Sequence, residues 1–184
     1  VAYLVGASRK LEVLSVIKRK DALGLLAHSD TEERWTQTRT EILALIQIAF
    51  GGLVAEELFF GETSTGVAGD LQMATAAAAQ MVGSLGMAGS LVSLDAASGP
   101  GGANIVAKVL SSDSGREAVE KILDDARSNV RNLLADNLST VEALRDALLD
   151  RDELVGDEIT AVIASARQAV AEEQTTVPGV IDLR

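Results

Sequence analysis

The chain has 184 residues, 47% of them hydrophobic, which suffices for one domain with a real core. Aromatic residues make up only 3% and cysteine is absent, so the core must be aliphatic, and disulfide frameworks and thiolate metal sites are excluded. A formal net charge of -11 argues against nucleic acid as a partner, because phosphate binding needs clustered Lys and Arg.

In chain order, Val1 to Ala7 is apolar, lacks a helix-start signal, and reads as the last turns of a helix that begins earlier. Leu11 to Ile17 and Ala22 to Ala27 are rich in Val, Leu and Ile. Separated by Lys18-Arg19-Lys20-Asp21, they predict a β-hairpin that must lean on helices. From Thr36 the pattern turns helical, with Ile42, Leu45, Ile46, Ala49, Leu53 and Leu58 at three- and four-residue spacing. Its most apolar run, Ile42 to Ala55, falls short of the roughly 20 apolar residues a bilayer needs and reads as a buried helix. Gly51-Gly52 interrupts it, implying a close backbone approach or a bend, and Gly61 ends it. After the loop from Glu62 to Gly69, Asp70 to Leu85 predicts a nearly uncharged, buried helix.

Met87 to Gly102 is Gly- and Ser-rich, and Gly99-Pro100-Gly101-Gly102 is its strongest turn signal. Ser114 to Leu138 carries apolar residues at Val119, Ile122, Leu123, Ala126, Val130, Leu133, Leu134 and Leu138, the spacing of a long amphipathic helix. Ser139 with Glu142 predicts a capping box opening a further helix to about Leu149. Asp157 opens the last, reaching about Glu173, before a tail with Pro178-Gly179. The expected fold is mainly α, a single helical-bundle domain over residues 1–184 with a small β-hairpin near the N-terminus.

The residues that ask for chemistry are acids. Glu56 and Glu57 stand in an otherwise apolar helix, and Asp70 follows across a Gly-rich loop. A carboxylate held against an apolar surface needs a cation, and Lys and Arg are absent from Glu41 to Ala107, which leaves a metal ion or a group from outside this segment. The alternative for Asp70 is a helix N-cap, and for the two glutamates a solvated helix end. His28 is the only histidine and lies in the second predicted strand without a Gly-x-Ser-x-Gly neighbour, so a Ser-His-Asp triad is unsupported. No Gly-rich segment carries the Lys-Ser/Thr of a phosphate loop, so no nucleotide site is expected in this chain.

Taken in order, Phe50-Gly51-Gly52, Ala55-Glu56-Glu57, Gly61, Thr65-Gly66, Asp70, Ala74-Thr75, Met81-Val82 and Gly86 resemble the protease domain of the FtsH family of ATP-dependent zinc metallopeptidases. The likeness extends to Val13 to Asp30, similar to the family's hairpin, and to Ala143-Leu144 and Gly156-Asp157-Glu158-Ile159 in its last helices. In that family a His-Glu-x-x-His helix supplies two zinc ligands and the general base, and the Asp of a Thr-Gly-x-x-x-Asp loop is the third ligand. The resemblance implies that Asp70 is that ligand and that Glu56 lies behind the metal, orienting a ligand histidine. It also implies a zinc-bound water of pKa about 7 that attacks a peptide carbonyl. The family adds unfolded polypeptide to a strand edge near the zinc; the matching strand is Leu23 to His28, with Leu25, Leu26 and Ala27 as the substrate positions.

The chain departs from the family at Gly69, usually Asn, at Leu85, commonly Trp, and near Met73, where a basic residue is missing. It contains no His-Glu-x-x-His; by resemblance that motif precedes Val1, so the chain alone is expected to have no catalytic residue of its own, no metal and no activity. The implied layout is the end of the catalytic helix at residues 1–7, the hairpin at 11–28, metal-site helices at 36–86 and C-terminal helices at 113–174. For the intact protein the resemblance implies zinc, ATP and magnesium at an upstream ATPase domain, a homo-hexamer and polypeptide substrates. It also implies a membrane anchor only in upstream segments, at the cytoplasmic face. The competing readings are a non-catalytic helical scaffold or assembly module of the same fold, and a helical interaction domain unrelated to proteases.

Overall fold

The computed structural model describes residues 1–6, 9–19, 24–32, 35–97 and 104–176. As expected, these are mainly helical, with one small antiparallel sheet. The chain divides into two compact units, one from residues 1–7 and 34–134, the other from 8–33 and 135–184.

In the first unit, α1 (Ala2–Val5) rests against α2 (Arg39–Phe60), where a Cβ on Gly51 would lie 3.3 Å from Val1 Cγ2. Gly51 therefore marks a close approach by a side chain, while α2 runs unbroken through Gly51-Gly52, contrary to the expected interruption. A capping box starts α2: Thr38 Oγ1 accepts from the Glu41 N–H and the Glu41 carboxylate accepts from the Thr38 N–H. Such a cap contributes about 1 kcal/mol. Gly61 closes the helix in the left-handed region at φ 76°, donating its N–H to Glu57 O. The helix has the length and hydropathy of a bilayer span, 22 residues with a mean of 1.8 in its most apolar stretch. Ile42, Ile46, Ala49, Phe50 and Val54 form a buried stripe along it, 28% of its most apolar stretch being buried, and ion pairs hold its end.

A 3-10 turn at Thr65–Val67 leads into α3 (Ala68–Gly83), which buries Ala74, Ala78, Ala79 and Met81 and packs against α2 and α4 (Ile105–Leu110). The predicted start at Asp70 is two residues late. Within the expected loop from Met87, a second 3-10 turn forms at Leu94–Ala97; Gly99-Pro100-Gly101-Gly102 lies outside the described residues. The amphipathic helix is α5 (Asp113–Ala135), burying Val119, Ala126, Val130 and Leu134.

Gly115 in its first turn permits a close approach. A Cβ there would overlap the Val109 carbonyl oxygen and lie 2.6 Å from Ser112 Oγ. Gly115→Ala is expected to destabilise the α4–α5 corner by about 1–3 kcal/mol, read as faster amide exchange there. Unchanged exchange would show that the backbone yields at no cost.

The second unit holds the sheet. The hairpin is β1 (Arg9–Ser15) and β2 (Leu25–Asp30), paired from Arg9↔Asp30 to Ser15↔Leu25 with a bulge between Leu11 and Val13. β1 thus starts and ends two residues earlier than expected and β2 starts and ends three residues later, and residues 20–23 of the turn lie outside the described residues. A third strand unforeseen from sequence, β3 (Glu153–Val155), pairs antiparallel with the other side of β1, giving the order β2-β1-β3. The sheet leans on α6 (Leu138–Arg151) and α7 (Asp157–Thr176), and on its edge strand β3 Leu154 is fully buried. The expected capping box at Ser139 is not formed: α6 starts at Leu138, which puts Ser139 inside the first turn. Of the tail, residues 177–184 lie outside the described residues.

Candidate functional site

The three acids sit in the first unit and have different surroundings. Successive helical residues point about 100° apart, so Glu56 and Glu57 on α2 face different neighbours. Glu57, with 13% of its side chain exposed, is held by two guanidiniums of α5, those of Arg127 and Arg131, one on each carboxylate oxygen. These arginines are one helical turn apart, so both reach the same group. Beside them is an open cleft of about 360 Å³ that Glu57 and Arg127 line together with Phe50, Leu53, Leu71 and Leu123.

Desolvation opposes ionisation of Glu57, and hydrogen bonding and charge from Arg127 and then Arg131 outweigh it, holding the carboxyl below its usual range. The stability it contributes is present above the ordinary glutamate value of about 4.3 and is lost as pH falls through the depressed folded value. Glu57→Gln should therefore flatten the loss of thermal stability below about pH 4.3, wild type falling more steeply than the variant. Parallel curves would show that the arginines do not stabilise the ionised form.

Glu56 faces the loop after α2. Its Oε2 accepts from the Ser64 N–H at 2.5 Å and its Oε1 from the Ser64 hydroxyl at 2.9 Å. Ser64 Oγ in turn accepts from the Gly66 N–H at 3.1 Å, capping the 3-10 turn that runs into α3.

Asp70 is the third residue of α3 and is exposed. The N-cap position falls at Val67 and has no side-chain cap bond, so Asp70 is not a cap; its charge sits in the first turn, where the dipole favours it. Among the described residues none hydrogen-bonds to its carboxylate or pairs with it. Among the same residues no three His, Cys, Asp or Glu gather as a metal site. Asp70 thus fits zinc as one oxygen donor, and one donor falls short of the three protein ligands of a catalytic zinc.

The remaining candidates belong to the second unit. Leu25, Leu26 and Ala27 lie on β2, an edge of the described sheet, and Leu25 and Leu26 are exposed. His28 on the same strand accepts from Arg9 Nη1 at Nδ1, 2.8 Å away, which places its own proton on Nε2. Burial and then the Arg9 charge lower its pKa against the opposing effect of Asp30 and Glu12. It is an engaged strand residue.

A profile of peptidase family M41 matches residues 1–162. The chain belongs to peptidase family M41. Among M41 relatives, it is 30% identical over 186 residues to an ATP-dependent zinc metalloprotease FtsH of Endomicrobium trichonymphae, covering 96% of this chain and 29% of that protein. It is 30% identical to one of Syntrophobacter fumaroxidans, at 97% and 29%, and 31% identical to FtsH 2 of Symbiobacterium thermophilum, at 90% and 28%. The chain thus spans less than a third of these M41 relatives' lengths. Sequence reasoning missed Arg127 and Arg131; their four-residue spacing on an amphipathic helix was the available signal.

Proposed function

We propose that this M41 chain is the proteolytic domain of an ATP-dependent zinc endopeptidase degrading unfolded or membrane polypeptides. The observation that carries the reading is Asp70, an exposed carboxylate with no partner among the described residues, which by the resemblance of the stretch from Thr65-Gly66 to Asp70 answers to the family's aspartate ligand. The chain's single histidine is not part of a His-Glu-x-x-His, so the other ligands and the general base belong to another part of the intact protein. Zinc, when bound, supplies an acidified water for attack on a peptide carbonyl. Within this chain Asp70 contributes one oxygen, and Glu56 lies behind it and steadies the loop that leads to it. The open edge of β2 around Leu25, Leu26 and Ala27 offers main-chain groups to an extended polypeptide. The same reading gives the intact protein an upstream ATPase domain with ATP and magnesium, an upstream membrane anchor, a homo-hexameric assembly and a place at the cytoplasmic face of the membrane.

Elemental analysis of the full-length protein tests it. Wild type should carry stoichiometric zinc, and Asp70→Ala should lose it. Zinc retained by the variant would remove Asp70 from the ligand set, and a zinc-free wild type would favour the scaffold or assembly role.

A further inference from the structure

We propose that Arg127 and Arg131 of α5 are positioning residues for Asp70, acting through the adjacent carboxylates Glu57 and Glu56 of α2. The proposal rests on the reading of Asp70 as a metal ligand. A ligand must be held to within about 0.5 Å of its working place, so something has to fix the first turn of α3. Packing holds the body of α3 against α2, but the loop that leads into it is open: residues 61–66 are exposed throughout.

Polar links run through this stretch instead. Arg127 and Arg131 hold both oxygens of Glu57 and so tie the last turns of α2 to α5. With that part of α2 fixed, Glu56 is held where it receives both the N–H and the hydroxyl of Ser64. Ser64 Oγ accepts from Gly66, and the Thr65–Val67 turn enters α3 directly, with Asp70 as the third residue. Each step from Arg127 to Asp70 is an ion pair, a hydrogen bond or a short piece of continuous chain. Removing the arginines would leave Glu57 charged, largely buried and uncompensated, and the end of α2 would move to rehydrate it.

The test uses the full-length protein, with hydrogen exchange over residues 62–70 and zinc loss to a chelator as readouts. Arg127→Gln with Arg131→Gln should speed exchange at residues 62–68 at least tenfold and zinc loss at least tenfold, leaving exchange around Ala78 and Ala79 unchanged. Arg127→Lys with Arg131→Lys, which keeps the charge, should restore part of both. Glu57→Gln removes the stranded charge, so it provides a folded variant if the double glutamine variant does not fold, and it should loosen residues 62–68 in the same way. Unchanged exchange at residues 62–68 in a folded variant would overturn the proposal, as would loosening spread equally over α2, α3 and α5. If Asp70→Ala keeps its zinc, the ligand reading fails by itself, while the exchange readout still decides whether the arginines fix the loop.

Discussion

Proteolysis of casein by the full-length protein is expected to fall in Asp70→Ala by far more than the roughly 10–100-fold that loss of a group behind a metal ligand costs. Glu56→Ala, which on the proposed reading removes such a group, should stay within that range. The ordering follows from what each side chain touches. Asp70 has no partner among the described residues, so its loss leaves the fold of α3 intact and removes an oxygen donor. Glu56 already spends both oxygens on Ser64, so its loss frees the loop and disturbs the metal only indirectly. ATP hydrolysis, assigned to another part of the intact protein, should persist in both variants. A residual activity in Asp70→Ala equal to that of Glu56→Ala would mean that both act through the loop and that neither binds zinc.

Leu154→Ala is expected to cost the second unit about 2–5 kcal/mol, the range for removing a fully buried leucine side chain. Leu154 on the edge strand β3 pairs with Leu14 on the central strand β1, and α6 and α7 both contact β3. A cavity there leaves β1 without its second neighbour. The measurement is amide exchange in β1 and β3 of the full-length protein, which should quicken by about 30-fold or more, with the helices of the first unit unaffected. Exchange within a fewfold of wild type would show that β3 is an adornment and that the β1–β2 pair stands on the helices alone.

The helices with long apolar periods were legible in the sequence. Val119, Ala126, Val130 and Leu134 form one face of α5, and Gly61 closes α2 because only glycine takes its left-handed backbone without strain. The hairpin was legible from its Val- and Leu-rich runs, though not its ends. β3 was not, because three residues carry no period. The capping signal misled: a hydroxyl residue followed three positions later by Glu occurs at Thr38 and at Ser139, and only at Thr38 does the helix begin one residue later. The site was half legible. Asp70 was placed correctly at the mouth of α3, but as a cap it was two to three residues out of position, since the helix starts at Ala68. The cationic partner sought for Glu57 was protein, and it lay some seventy positions away on another helix, where no local pattern announces it.

The pairing of Ser15 with Glu153 also constrains how the molecule is made. About 140 residues separate the two partners of that ladder, and closing so long a loop is unfavourable in entropy before any contact rewards it. During synthesis at about 5–20 residues per second, β1 and β2 emerge well before β3 and wait, with one side of β1 bare, until it follows. The two units alternate along the chain, so neither is a contiguous piece. A nascent chain stalled between Asp30 and Glu153 therefore displays an unpaired strand edge, and that is the interval in which this part of the protein is most open to pairing with another strand.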